Sequence, residues 1–110
     1  MKFTEGHGVL GRIKFVDGVM PAYDRTYLVV GVCEEYLEVL NVSSIRGKER
    51  KLAFPANERI RKYNPPGVVP SVVKLDSLTR VPQSDWTNLQ ILNGGRTLDH
   101  EELVRIKNML

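Results

Sequence analysis

Residues Tyr27 to Cys33 read Tyr-Leu-Val-Val-Gly-Val-Cys, apolar and largely β-branched at consecutive rather than alternate positions. A strand with one wet face alternates polar and apolar residues, so this run predicts a central strand buried on both faces. At 110 residues, 42% hydrophobic and 26% charged, the sequence suffices for one domain over 1–110 with a real core. The run is far short of the roughly 20 residues that span a bilayer, and the start lacks the basic-then-apolar signature of a secretory signal, so neither a membrane nor an exported protein is expected. Cys33 is the single cysteine, which excludes an intramolecular disulfide and a Cys-rich zinc site and fits a cytoplasmic protein.

The neighbouring segments also read as short strands. Leu10, Ile13, Phe15 and Val16 are interleaved with Gly11, Arg12 and Lys14, which predicts a half-buried strand over 9–17 closed by the Asp17-Gly18 turn. Tyr36 to Val42 forms a third strand, paired with the central one as a hairpin through Glu34-Glu35. A fourth is expected over 50–54. Asn57, after Pro55, can cap a short mid-chain helix through Tyr63, which Asn64-Pro65-Pro66-Gly67 stops. Val68 to Leu75 returns to β character and continues past a kink through 77–81, and Leu89 to Leu92 is a last short strand before the Asn93-Gly94-Gly95 turn.

The C-terminal segment carries a helix signature. Asp99 with Glu102 makes a capping box, Leu98 can staple onto Leu103, and Leu103, Ile106 and Leu110 share one face that must pack on the sheet. The expected architecture is therefore mostly β, a strongly curved antiparallel sheet or small barrel with a C-terminal helix and a short mid-chain helix.

The net charge of +3 is mild, but its distribution is not. Arg46, Lys48, Arg50, Lys51, Arg59, Arg61 and Lys62 lie within 46–62 against only Glu49 and Glu58, a local +5 that leaves −2 for the rest of the chain. Such a segment suits either a solvated face or a surface that attracts phosphates and releases counterions.

Several chemistries lack their motifs. There is neither a phosphate-binding loop ending in Gly-Lys-Ser/Thr nor a Gly-x-Gly-x-x-Gly after a strand, and His7 and His100 lie near opposite ends without metal-ligand spacing, so no cofactor or metal is expected. His100 suits a solvated first turn of the last helix, whereas His7, between Gly6 and Gly8, lies in a flexible-looking stretch that can reach a site. What remains is chemistry built from Arg, hydroxyl and carboxylate groups. RNA can be cut by its own 2′-hydroxyl, so an enzyme need only align the nucleotide, neutralise charge developing on the phosphate and move protons. Arginine's planar fork holds two phosphate oxygens at once, and Arg25 leads directly into the buried strand, where a rigid scaffold can hold it. Its alternative is a simple pairing with Asp24 or with solvent.

The order of elements resembles the MazF/PemK family of endoribonuclease toxins from toxin-antitoxin systems. Gly11-Arg12-Ile13-Lys14-Phe15-Val16-Asp17 resembles the family's first strand, and Arg25-Thr26-Tyr27-Leu28-Val29-Val30 its Arg-Pro-x-Leu-Val-Val segment, with Thr26 in place of Pro. Val42-Ser43-Ser44 falls where that family has a strand ending in a catalytic Thr. Ser71 to Leu78 is similar to its Val-Val-x-x-Asp-Gln-x strand, and Gly95 to Leu103 to the lead-in of its C-terminal helix. The Gly-Ser-Glu-Gln loop that helps enclose RNA in that family is missing between Asp17 and Arg25.

The resemblance implies an SH3-like barrel and a metal-independent endoribonuclease acting on single-stranded RNA, whose unstacked bases can be read directly. It gives Arg25 a phosphate-stabilising and proton-donating role and makes Ser43, with Ser44 as second choice, the hydroxyl that orients the scissile group. Lys74 and Asp76 would line the RNA groove, and Arg46, Lys48 and Arg50, just after the serine pair, would hold the backbone. It further implies a homodimer and a cognate antitoxin that blocks the groove. A different class of function, a non-catalytic SH3-like module that binds nucleic acid or protein, fits the same basic segment.

Overall fold

The computed structural model describes residues 3–14, 18–44, 55–60 and 71–110. Six strands form one antiparallel sheet: β1 (Gly8–Gly11), β2 (Arg25–Val32), β3 (Tyr36–Ser44), β4 (Asn57–Arg59), β5 (Ser71–Pro82) and β6 (Gln90–Ile91), in the spatial order β4-β5-β3-β2-β1-β6. A 3-10 helix over Gln83–Asn88 follows β5, and α1 (His100–Lys107) is the last element. The described chain is thus mostly antiparallel sheet with a C-terminal helix. No described helix is long and apolar enough to cross a membrane.

β2 is central and is buried on both faces, as its composition demands. Tyr27 and Val29 enter one core with Phe3, Val9, Ile13, Leu37, Val39, Val81, Trp86 and Leu89, whereas Leu28 and Val30 enter a second core beneath α1 with Leu40, Val42, Val73, Leu98, Leu103 and Ile106. Burying Leu28, Val29 and Val30 alone is worth about 5–9 kcal/mol, the order of a domain's whole net stability. A bulge lets two residues of β2 oppose one of β3 between the pairs Val29↔Val39 and Gly31↔Glu38. The extra residue reverses the alternation, so Val32 packs against the same core as Tyr27 and Val29.

A larger bulge interrupts β5. Val39 pairs with Thr79 and Asn41 with Lys74, so residues 75–78 stand opposite Leu40 alone. This is the kink that divides the two β-rich halves of 68–81 in the sequence. Ser77 mends the ladder there: its Oγ accepts from the Asn41 amide (2.8 Å) and donates to the Lys74 carbonyl (2.6 Å). The bulge again reverses the alternation, so Lys74 and Thr79 face the same way although five positions apart.

Four expectations need correction. The mid-chain helix from Asn57 is instead β4, whose three residues pair with Val72 to Lys74, because strand pairing satisfies amides that a one-turn helix would leave open. The first strand ends at Gly11 rather than reaching Asp17, and Ile13 leaves the ladder to fold into the core. His7 is not mobile: it is buried, its Nδ1 accepts from the Thr4 amide (3.0 Å), and its Nε2 donates to the Gly95 carbonyl (3.0 Å). That fastens the N-terminal segment to the turn at Asn93, Gly94 and Gly95, all with positive φ. Leu110, expected on the buried face of the last helix, lies beyond α1 and is exposed. The expected strand over 50–54 lies outside the described residues.

α1 is started as its sequence suggests, with Asp99 accepting from the Glu102 amide (3.2 Å). The Glu102 carboxylate, however, is buried and turned to Arg105, which donates to it, to Glu58 of β4 (2.9 Å) and to the Arg59 carbonyl (2.9 Å). Burial alone would depress the Arg105 pKa, but the bonds to Glu58 and Glu102 outweigh it and raise it. This network ties the helix to the edge strand. Arg105→Met leaves Glu102 buried without its cation and is expected to cost about 3–5 kcal/mol in urea denaturation, whereas Arg105→Met combined with Glu102→Met should recover part of that loss.

Candidate anion-binding cleft

The strand ladders set side chains in rows. Tyr27 pairs with Asn41, Asn41 with Lys74, and Lys74 with Asn57, so these four residues cross four strands on one face. The neighbouring row begins with Gly11 opposite Arg25. Ser43 lies one residue beyond Thr26↔Val42, the last β2–β3 pair, and itself pairs with Val72. Directly opposed residues project to the same side about 5 Å apart.

A cleft of about 220 Å³ opens on this face, lined by Ile13, Lys14, Arg25, Tyr27, Asn41, Lys74, Ser77 and Thr79. Three of these eight residues are cationic, and the described lining includes no carboxylate and no imidazole. The uncharged polar groups of Tyr27, Asn41, Ser77 and Thr79 complete a surface suited to an oxyanion. Arg25 lies with its guanidinium carbon 5.0 Å from the centroid of the Tyr23 ring and donates to the Tyr23 hydroxyl at 3.4 Å. Asp24, its sequence neighbour, instead pairs with Arg12 at 3.4 Å.

Tyr27 joins this cleft to the core. Its ring is packed among Val9, Val29 and Val39, and the residue is 5% exposed. Burial pushes its hydroxyl pKa up, while a bond from the Ile13 amide and the charge of Arg25 pull it partway back. The hydroxyl therefore keeps its proton at neutral pH.

The expected site residues are distributed unevenly. Arg25 and Lys74 line the cleft, and Ser43 is on the next row of the same face. Ser44 follows the alternation of Leu40 and Val42 toward the α1 side and is exposed at the strand end. Asp76 is exposed on the β5 bulge, outside the cleft lining. Arg46, Lys48 and Arg50 lie outside the described residues. Sequence reasoning passed over Lys14, Tyr27, Asn41, Ser77 and Thr79. Asn41 carries a readable signal, being polar between the buried Leu40 and Val42. Ser77 and Thr79 reach the cleft only because the bulge turns them there.

Comparison with known protein families, with curated proteins and with solved structures finds no match to the chain. Among the described residues, no three His, Cys, Asp or Glu side chains gather as a metal site.

Because the Ser77 hydroxyl takes the place of a strand carbonyl for Asn41, Ser77→Ala orphans a half-buried amide in the cleft wall. The expected loss is about 1–3 kcal/mol in urea denaturation, whereas Ser77→Thr, which keeps the hydroxyl, should retain most of the stability.

Proposed function

We propose that the chain is a metal-independent endoribonuclease of the MazF/PemK type, a toxin that cuts single-stranded RNA by attack of the 2′-hydroxyl on the adjacent phosphate and leaves a cyclic phosphate. The observation that carries this reading is the convergence of Arg25, Lys14 and Lys74 on one cleft fringed by hydroxyl and amide groups. A phosphodiester gains negative charge as it becomes a phosphorane, and fixed cations in a partly desolvated cleft favour that state over the ground state. Arg25 is the group for the two non-bridging oxygens, since its fork matches them and its strand holds it in place. Ser43, one residue past the Thr26↔Val42 pair at the Arg25 end of β2, would orient the scissile linkage. Lys14 and Lys74 would hold the flanking backbone.

Tyr23 adds support for a single-stranded substrate. Its ring is 60% exposed beside Arg25, and an exposed aromatic next to a phosphate site gives an unstacked base a surface to lie on. The bulged antiparallel sheet is compatible with the SH3-like barrel that the resemblance implies. A homodimer and an antitoxin that covers the cleft follow from the same reading, as does a cytoplasmic location with its RNA.

A second reading, a non-catalytic nucleic-acid-binding module, is favoured by the lack of a carboxylate or imidazole in the described lining, since those groups most often serve as general bases. One experiment separates the two. Purified protein is incubated with a mixed-sequence RNA oligonucleotide in EDTA, beside Arg25→Ala and Lys14→Ala/Lys74→Ala. The nuclease reading expects cleavage by the wild type, a loss of about 10²-fold or more in Arg25→Ala, and a salt dependence of RNA affinity that is shallower by about 0.7 in log–log slope for each lysine removed. Salt-dependent binding without any product supports the binding module instead.

A further inference from the structure

Cleavage by 2′-hydroxyl attack ends with an alkoxide on the departing 5′ oxygen, and a proton delivered there lowers the barrier. The donor must lie in the cleft, hold its proton at working pH and be able to release it. Arg25 meets the first two conditions and fails the third, because a guanidinium does not deprotonate in proteins. The Ser77 and Thr79 hydroxyls already donate to the carbonyls of Lys74 and Ser77. Lys14 and Lys74 carry their ammonium groups on flexible four-carbon stems, Lys14 exposed, and among the described residues nothing fixes either at the leaving oxygen. Tyr27 is different on each count: its ring is fixed in the core, and its hydroxyl oxygen receives the Ile13 amide beside Arg25.

We propose that the Tyr27 hydroxyl is the general acid, giving its proton to the 5′ oxygen as the phosphorus–oxygen bond breaks. This rests on the endoribonuclease reading above and moves the proton-donating role from Arg25 to Tyr27. The 2′ oxygen forms a bond to phosphorus and its proton passes to water. The bond from phosphorus to the 5′ oxygen breaks, its electron pair stays on that oxygen, and the Tyr27 proton joins it. Burial disfavours the phenolate left behind, the Ile13 amide and the Arg25 charge offset part of that cost, and the phenolate regains a proton from solvent.

The test compares two RNA oligonucleotides with a single scissile linkage, one with the natural 5′ oxygen and one with sulfur in its place. A thiolate leaves without needing a proton. Tyr27→Phe is expected to lose about 10²-fold or more on the oxygen substrate and less than about threefold on the sulfur substrate, with unchanged affinity for a 2′-deoxy oligonucleotide. Lys74→Ala, which removes charge rather than a proton donor, is expected to slow both substrates alike. Equal losses for Tyr27→Phe on both substrates, or no loss on the oxygen substrate, overturn the assignment while the nuclease reading stands. If the wild type cleaves neither substrate, the nuclease reading falls and the assignment with it. Replacement of Tyr27 by 3-fluorotyrosine, which keeps the shape and sharpens the acidity of the phenol, should preserve cleavage of both substrates; retained binding with no cleavage of either contradicts the role.

Discussion

The burial of β2 on both faces is the constraint from which the rest of the structure follows. A strand with Tyr27 and Val29 on one side and Leu28 and Val30 on the other cannot lie at the surface of a small sheet, so each side needs a cover. One cover is the group around Phe3 and Trp86, whose rings meet edge to face at 5.5 Å while the indole N–H donates to the Val81 carbonyl. The other is α1, held down by Leu98, Leu103 and Ile106 and locked laterally by Arg105 against Glu58 and Glu102. His7, bonded between Thr4 and Gly95, fastens the N-terminal segment that carries Phe3.

The cleft lies where the apolar pattern gives way on one of those faces. Toward the Arg25 end of β2, the positions that would extend the core are Asn41, Lys74 and Arg25, while Tyr27 contributes a ring to the core and a hydroxyl to the opening. Polar groups placed at the end of a packed core are rigid in the way that loop residues are not. Ser77 shows how this is achieved at the β5 bulge, where one hydroxyl supplies the missing acceptor for Asn41 and the missing donor for Lys74. On the proposed reading, this rigidity lets Arg25 and the Tyr27 phenol act on the scissile phosphate without reorganising during the reaction, while Lys14 and Lys74 hold the flanking backbone.

Much of the scaffold was legible because its signals are local. The consecutive apolar run gave β2, the acidic pair gave the hairpin turn, and the Asp99-x-x-Glu102 spacing gave the start of α1. The β5 kink was visible too, but not its consequence, since counting alternation in the sequence cannot show that three extra residues turn Thr79 to the side of Lys74. Asn57 was misread for a related reason: as an Asn after a Pro it carries a helix-start signal, and only the partner strand 17 positions downstream makes it a strand residue. His7 illustrates the same limit, since flanking glycines suggest mobility while the bond that fixes it comes from 88 residues away. Arg25 was singled out by its place at the entry to the buried strand and Lys74 through the family resemblance, whereas the side chains that surround them depend on register across four strands.

The central claim is that the face bearing Arg25, Tyr27, Asn41 and Lys74 receives the phosphate backbone of a single-stranded RNA. Chemical-shift mapping by NMR, with a 2′-deoxy-substituted oligonucleotide that cannot be cut, tests it most directly. The account predicts that the largest amide shifts fall on Lys14, Arg25, Tyr27, Asn41, Lys74, Ser77 and Thr79 and diminish with added salt. Shifts confined to α1 and its flanks, with the cleft residues unmoved, would contradict it.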